Sequence, residues 1–339
     1  MKSAKLIFTA TLAAFVFTAC STSRQYYQPT TNLQVHNKFK STLPSEIIHK
    51  TADGATLSNG KFLNKKGVVS TVKLSKEERF LGSFNTLDIV SNFNGEVKVY
   101  NQNRLYFKTQ LDSMAVSASS NGVFLAVVTA KNTIYLINLQ TSQTALEYKQ
   151  SAVFSQDSTT VAPLFTPQEV LFATLDGKVL AVSLSRLTIT RDIVVGGEYF
   201  FNNIIALNQT QNGEIIAATS TRVGVLSGGK AKYFDAQIKT ALITKNAVFL
   251  FLKNGEVKKL STSLTPLASR EFKYAIFTGA MLYGEKIFAF EKNGYAFELD
   301  LGLNLRKIHK LNRELDSVSF IGDKKFFCED SVLDVRFFR

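Results

Sequence analysis

The sequence predicts an all-β fold, a β-propeller of four-stranded blades. Three observations predict it: one strand–turn–strand unit recurs along most of the chain, its first strand is almost continuously apolar, and its turns are rich in Asn-Gly and Asp-Gly. Repetition at a fixed spacing is typical of repeat architectures, and strand-only repeats of roughly 40–50 residues are typical of propeller blades.

The unit occurs seven times from residue 87 onward. Its copies are LDIVSNFNGEVKVY (87–100), FLAVVTAKNTIYLI (124–137), VLFATLDGKVLAV (170–182), IIAATSTRVGVL (215–226), VFLFLKNGEVKKL (248–260), IFAFEKNGYAFEL (287–299) and FFCEDSVLDVRFF (326–338). The turn residues recur every 33 to 45 residues. Further β-rich runs lie between the copies, so each unit plus two more strands makes a four-stranded blade.

The turns and the strand patterns support hairpins. Four dipeptides lie between apolar runs, namely Asn94-Gly95, Asp176-Gly177, Asn254-Gly255 and Asn293-Gly294. Such pairs tolerate positive φ at both central positions, as a type I′ turn requires. The apolar first strands indicate burial on both faces, and the alternating second strands indicate burial on one face.

The blade count depends on how the ring closes. The chain stops after two strands of a last unit, and closure is how a propeller hides its edges, so the N-terminal part is expected to supply the missing strands. GVVSTVKL (67–74) and ERFLGSF (78–84) would do so in a ring of seven blades, which is the prediction. Asn59-Gly60 would begin another unit in the alternative, a ring of eight.

The N-terminus predicts export. Residues 1–19 carry two lysines and then about 12 apolar residues, the layout of a signal peptide and shorter than the ~20 that span a membrane. Phe17-Thr18-Ala19-Cys20 resembles the lipobox of bacterial lipoproteins, which implies that Cys20 becomes a fatty-acylated (palmitate-bearing) first residue. In similar lipoproteins a Ser after that Cys implies sorting to the outer membrane, so Ser21 implies this membrane. We expect the anchored protein to lie on the periplasmic face of the outer membrane. Residues 20–50 are interpreted as a lipidated N-terminus and flexible tether, and residues 51–339 as the propeller.

Residues suited to catalysis or metal binding are few. The three histidines are His36, His49 and His309, and no pair has the spacing of a metal site. Cys328 lies in an apolar strand and is interpreted as a core residue. The segment from Gly224 to Lys230 nearly matches a phosphate-binding loop but has Ala231 in place of the hydroxyl residue, and is interpreted as a hairpin. No metal, no cofactor and no catalytic residue is predicted.

The chain is basic, with 40 Lys and Arg against 27 Asp and Glu. A basic surface attracts nucleic acid, anionic lipid or acidic partners, and the export signal argues against nucleic acid. The densest cluster is Arg306, Lys307, Lys310 and Arg313 around His309. We interpret it as a solvated edge strand that charge protects from pairing, with a docking patch for an acidic partner or anionic headgroups as the alternative.

A lipidated Cys, a tether and a repeated all-β body together resemble BamB-type outer-membrane lipoproteins, the propeller subunit of the machinery that inserts β-barrel proteins. Leu136-Ile-Asn-Leu-Gln-Thr141 faintly follows their blade pattern, whereas the Trp of that pattern is missing because the chain has none. The resemblance implies a non-enzymatic scaffold that binds envelope proteins, among them barrel-assembly components, by β-augmentation. The alternatives are a propeller enzyme or small-ligand binder (lactonase-like) with its site at the central channel, and a surface adhesin.

Overall fold

The computed structural model describes residues 25–30, 34–153, 160–197, 202–227 and 230–338. Within them the chain forms eight β-sheets, of which six have four strands, one has three and one has five. Consecutive antiparallel strands build each sheet, two of the sheets gain one further strand from the N-terminal part, and the sheets follow one another along the chain. The predicted all-β propeller is therefore confirmed. Of the two blade counts considered, the structure has eight, the alternative, rather than seven.

The strands are numbered in chain order, and the two N-terminal strands are β1 (Gln34–His36) and β2 (Ser41–Thr42). Blade 1 contains β3 (Ile47–Lys50), β4 (Gly54–Leu57) and β5 (Phe62–Asn64), and blade 2 contains β6 (Glu78–Phe84), β7 (Leu87–Asn92), β8 (Glu96–Asn101) and β9 (Arg104–Gln110). Blade 3 contains β10 (Ala115–Ser120), β11 (Phe124–Thr129), β12 (Thr133–Asn138) and β13 (Thr144–Lys149), and blade 4 contains β14 (Leu164–Phe165), β15 (Glu169–Ala173), β16 (Lys178–Ser183) and β17 (Ile189–Val194). Blade 5 contains β18 (Ala206–Gln209), β19 (Ile215–Ala218), β20 (Arg222–Ser227) and β21 (Lys230–Asp235), and blade 6 contains β22 (Ile238–Ile243), β23 (Val248–Leu252), β24 (Glu256–Leu260) and β25 (Pro266–Glu271). Blade 7 contains β26 (Phe277–Tyr283), β27 (Lys286–Glu291), β28 (Tyr295–Asp300) and β29 (Leu305–Lys310), and blade 8 contains β30 (Ser319–Ile321), β31 (Lys325–Cys328) and β32 (Ser331–Asp334). A short 3-10 helix, Val335–Phe337, follows the last strand.

The first strand of each blade lies nearest the axis. From blade 5 through blades 8 and 1 to blade 4, first strands of neighbouring blades contact one another, and β3 of blade 1 contacts both β6 of blade 2 and β30 of blade 8. The contact between blades 1 and 8 closes the ring.

The core lies between the blades. In β23, Phe249 and Phe251 pack against blade 7, while Val248 and Leu250 pack against blade 5. Burial of such a side chain stabilises the fold by about 1.5–3 kcal/mol. Because both faces of β23 meet a neighbouring blade, the strand has the continuous apolar sequence expected of a fully buried strand.

The Asn-Gly and Asp-Gly turns join strands where the sequence predicts them, but their type differs. Gly95 and Gly294 have φ of +90° and +81°, whereas the Asn before each does not have a positive φ. The amide of Gly95 donates to the carbonyl of Asn92 at 3.2 Å. Each loop therefore has three residues with glycine in the left-handed region, a G1-bulge hairpin, and the predicted type I′ turn is wrong for these positions.

The N-terminal part closes the ring, although not with the expected strands. Blade 8 takes its outermost strand from β2, which pairs antiparallel with β32. ERFLGSF (78–84) is instead the first strand of blade 2. Val69 of GVVSTVKL (67–74) forms a bridge to Leu63 in blade 1. The Asn59-Gly60 hairpin of blade 1 provides the eighth blade, as the alternative anticipated.

The tether interpretation of residues 20–50 is wrong for its C-terminal half. β1 pairs parallel with β29 of blade 7, β2 joins blade 8, and β3 is the first strand of blade 1. Edge strands offer unpaired backbone groups, and this segment satisfies them at two blades. We call residues 25–42 the strap, with residues 31–33 outside the described part. The signal peptide (1–19) and Cys20 also lie outside the described residues.

Candidate functional site

The central channel is the first candidate site. A cavity of about 420 Å³ lies among the first strands of blades 5 to 8 and the end of the first strand of blade 1. Its wall presents polar and apolar surface in about equal parts, and Leu207, Ala241 and Ala280 from three successive blades supply apolar side chains. Beside blade 3, Ser119 donates to the carbonyl of Pro163 at 2.5 Å, so the segment before β14 packs against the first strand of that blade.

Charged groups in the channel are mostly lysines. Lys50, Lys65 and Lys239 line the cavity, and Asp323 is the one carboxylate among the described residues that line it. Lys65 is 3.0 Å from Asp53. The part of the chain that the structure describes contains no group of three or more His, Cys, Asp or Glu able to hold a metal ion. Paired-carboxylate chemistry needs two convergent acids, and the described channel lining does not supply them.

The strap is the second candidate, because it occupies the outer surface of two blades. Tyr27 is 7% exposed. Its ring lies edge-on to Phe297 and Tyr295 of blade 7, with centroids 4.9 and 5.4 Å away, and contacts Phe272 at the end of blade 6. Aromatic pairs in this geometry contribute about 0.5–1.5 kcal/mol beyond burial. Burial, with Tyr295 and Glu291 nearby, raises the pKa of Tyr27 to about 12.

Glu291 is a fully buried carboxyl close to Tyr27. It accepts hydrogen bonds from the amides of Asn293, at 2.8 Å, and Ile276, at 3.5 Å, and so caps the turn after β27. Burial raises its pKa to about 7, since desolvation disfavours the charged form more than these amides and Lys310 favour it. Glu291 is therefore a turn-capping residue that titrates near neutral pH.

A buried polar chain joins the strap to blade 7. The side-chain amide of Asn37 lies 2.8 Å from Nδ1 of His309, and Nε2 of His309 lies 3.0 Å from Glu298. Glu298 also binds Lys286 at 2.7 Å. The Nδ2 atom of Asn37, which faces the imidazole, can only donate, so Nδ1 accepts and Nε2 donates to the carboxylate. Burial lowers the pKa of His309, although Glu298 opposes the shift.

The predicted basic cluster is not a free edge. Strand alternation separates its members, and β29 is paired by β1, so the interpretation as an edge that charge protects from pairing is wrong. Arg306 pairs with Asp300, Arg313 pairs with Glu329, and Lys310 lies 4.0 Å from the ring centroid of Tyr295. These contacts give three of the four cations of the cluster partners within the fold.

The other predicted residues have structural positions. Cys328 is buried and forms no disulfide, as a core residue should. The segment resembling a phosphate-binding loop joins β20 to β21, which pair antiparallel up to Ser227 and Lys230, so it is a hairpin. His49 lies on β3, where burial and Arg79 lower its pKa to about 4.

The outer edges of blades 2 to 6 form the third candidate site. In the described residues no strand pairs with the outer side of β9, β13, β17, β21 or β25, whereas blades 7 and 8 are completed by the strap. Several large side chains project there, among them Leu105, Val194 and Leu267, each more than half exposed. These edges can take up an extended chain through backbone hydrogen bonds.

Sequence reasoning missed the strap residues Tyr27 and Asn37. The signal available was the apolar content of a segment interpreted as polar, since Tyr26, Tyr27, Val35 and Phe39 lie within it. No helix in the described residues has the length and hydrophobicity needed to cross a membrane.

Eight blades around an axial cavity, closed by an N-terminal strap, define this chain as an eight-bladed β-propeller. Among solved structures it is similar to BamB from Moraxella catarrhalis, with a TM-score of 0.68 and 14% identity over 87% of this chain and 99% of that one. It is also similar to the C-terminal WD40 domain of Sif2, with a TM-score of 0.66 and 13% identity over 90% of this chain and 99% of that one. The resemblance to BamB-type propellers is therefore confirmed at the level of the fold.

Among curated proteins the chain is similar to the plasminogen-binding protein PgbB of Helicobacter pylori. The identity is 26% for the proteins of strains J99 and 26695, over 86% of this chain. The chain spans about three fifths of the length of these relatives, 62% and 61%. No protein-family model matches the chain.

Proposed function

We propose that this chain is a non-enzymatic propeller scaffold that binds proteins in the bacterial envelope. The observation that carries the proposal is the strap: an extended segment of the chain itself is bound on the outer side of blade 7 as a parallel strand, with Tyr27 buried against aromatic rings of two blades. The same recognition mode is open to a partner at the edges that the strap leaves uncovered.

The envelope location is part of the proposal. The N-terminal signal, Cys20 and Ser21 support a lipid anchor at the periplasmic face of the outer membrane, and one lipidated residue with several acyl chains holds a protein stably. The fold shared with BamB supports barrel-assembly components or barrel precursors as partners.

The experiment is crosslinking in native membranes of the producing cell, with Cys20→Ser as the control variant. The expected result is capture of outer-membrane barrel components by the anchored protein, with capture reduced when Cys20→Ser releases the propeller from the membrane fraction. Recovery of no envelope protein contradicts the scaffold. If Cys20→Ser stays attached to the membrane as the wild type does, the lipid anchor is contradicted, but the scaffold function is not.

A second candidate partner is plasminogen, which is favoured by the name of the curated relative. It requires exposure at the cell surface, the adhesin alternative. Binding of labelled plasminogen to intact cells, lost on deletion of the protein and restored by its re-expression, would support this partner. Protection of the propeller from protease added to intact cells would place it inside the outer membrane and contradict this partner.

A further inference from the structure

The outer strand of blade 2, β9, is a long strand with an uncovered edge. It has seven residues, Arg104–Gln110, and no strand of the described residues pairs with its outer side. Leu105 and Tyr106 are adjacent on it and are 55% and 47% exposed. Tyr100 on the neighbouring strand faces Leu105 in register. Tyr100 and Leu105 therefore share one face of the sheet, and Tyr106, the next residue, adds exposed aromatic surface at the same edge.

Three of the other uncovered edges, those of β13, β17 and β25, have features that discourage pairing, and the fourth, β21, ends with the acidic residue Asp235. β25 begins with Pro266, which has no amide hydrogen to donate. β17 has Arg191 beside Asp192 in its middle, and the Tyr233 hydroxyl donates to its Val194 carbonyl at 2.7 Å. β13 carries both Glu147 and Lys149. β9 contains neither proline nor an acidic residue, so it has fewer of the features that block edge pairing.

The charge of β9 indicates the sign of its partner. Its charged residues are Arg104 and Lys108. Lys108 lies 2.6 Å from Glu96 on the adjacent strand, whereas Arg104 is exposed and forms no ion pair among the described residues. An added strand with carboxylates opposite these cations would gain charge complementarity, and a second copy of β9 would bring like charges together.

The strap demonstrates that a basic outer strand of this propeller accepts an added strand. β29 has the sequence LRKIHK, with no acidic residue, and it pairs in parallel with Gln34–His36 through Ile308, His309 and Lys310. A lysine within the paired stretch, Lys310, therefore does not prevent strand addition when an extended segment is available.

We propose that β9 is a docking edge for an extended acidic segment of a partner protein, which adds to blade 2 as a fifth strand. The proposal rests on the scaffold function and assigns its surface. Leu105 and Tyr106 contact apolar side chains of the added strand, and Arg104 attracts its carboxylates.

The test uses the purified full-length mature chain and a fluorescently labelled short peptide that alternates glutamate and valine. Anisotropy measures binding to the wild type, to Leu105→Glu and to Leu267→Glu, a matched control because Leu267 is 58% exposed on β25. A second peptide has a proline at its centre, and a third has lysine in place of glutamate. Hydrogen exchange of the β9 amides reports where the peptide binds.

The expected result is saturable binding that weakens roughly tenfold or more in Leu105→Glu and less than about twofold in Leu267→Glu. The proline and lysine peptides bind more weakly by a similar factor, and the glutamate peptide protects the β9 amides. Absence of binding, equal binding by Leu105→Glu, or equal binding of the proline peptide overturns the proposal. A wild-type dimer that Leu105→Glu dissociates also overturns it, because it assigns the edge to a second copy. If Leu105→Glu still forms the crosslinks to envelope proteins, the scaffold function is retained and β9 is rejected as its docking edge.

Discussion

Asn37 and His309 lie 272 positions apart in the sequence and join through a 2.8 Å hydrogen bond in the interior of the protein. The bond fixes the strap against the outer strand of blade 7 immediately after β1. Both side chains are buried, at 8% and 0% exposure, so water cannot replace either partner. The attachment of the strap to blade 7 therefore depends on a polar contact as well as on apolar packing.

Removal of this contact should destabilise the protein. Asn37→Ala leaves Nδ1 of His309 buried without a donor, which costs about 1–3 kcal/mol. Urea unfolding of the purified protein at pH 7 would measure the loss. Gln140→Ala on an exposed turn is the control and should change the unfolding free energy by less than about 0.5 kcal/mol. Equal stability of Asn37→Ala and the control would show that the contact does not hold the strap.

Tyr27 should hold the first part of the strap. Tyr27→Ala removes a buried ring that contacts three others, and losses of about 3–5 kcal/mol are typical of such truncations. Tyr27→Phe keeps the ring and should be close to neutral. Hydrogen exchange at Val35 and His36 measures the release of β1. Unchanged protection of β1 in Tyr27→Ala would mean that β1 stays bound independently of the aromatic contact.

The pH dependence of stability should show two opposing contributions. The pKa of Glu291 is raised from 4.5 to about 7. Its contribution to the free energy of unfolding is therefore present below pH 4.5 and is lost as the pH rises through 7. The pKa of His49 is lowered from 6.5 to about 4, so its contribution is present above pH 6.5 and is lost as the pH falls towards 4. Between pH 4.5 and 6.5 the two slopes oppose each other.

Glu291→Gln isolates one of these contributions. The amide oxygen can still cap the turn, and no buried charge forms at high pH. We compare the free energy of unfolding of the variant with that of the wild type at pH 4.5 and at pH 8, both by urea unfolding. The difference in favour of the variant should be about 2–3 kcal/mol larger at pH 8 than at pH 4.5. Glu298→Gln is the control with the opposite sign: burial favours the neutral form of Glu298, but hydrogen bonds from Lys286 and His309 outweigh it and hold the pKa of Glu298 below its usual value. Equal gains at both pH values would contradict the burial of an ionised Glu291.

The glycine turns should differ in their tolerance of a side chain. Gly294 and Gly213 both have a positive φ, of +81° and +82°. A Cβ on Gly294 would collide with the backbone carbonyl of Arg313, whereas a Cβ on Gly213 would meet nothing closer than 3.9 Å. Gly213→Ala should cost about 1 kcal/mol, the penalty for the left-handed conformation, and Gly294→Ala clearly more. Thermal unfolding of the two variants measures the difference, and equal costs would contradict the collision.

Much of the fold is predictable from short stretches of sequence. VFLFL at 248–252 predicts a doubly buried strand, and Asn254-Gly255 after it predicts a hairpin; the structure has both. The turn type was wrong because it depends on whether Asn also adopts a positive φ, which the dipeptide permits but does not require. The candidate site was less predictable, since Tyr27, Asn37 and the free edge of β9 acquire their roles from residues distant in the chain.

The sequence by itself determined the repeat, the all-β class and the alternation of fully buried and half-buried strands, because these follow from local periodicity and turn chemistry. The tertiary structure alone decided that eight blades close the ring, that β1 and β2 complete blades 7 and 8, and that His309 is a buried hydrogen-bond acceptor rather than part of a solvated cation cluster. The physical reason is that a strand edge can pair with any extended segment, and local sequence does not specify which distant segment reaches it.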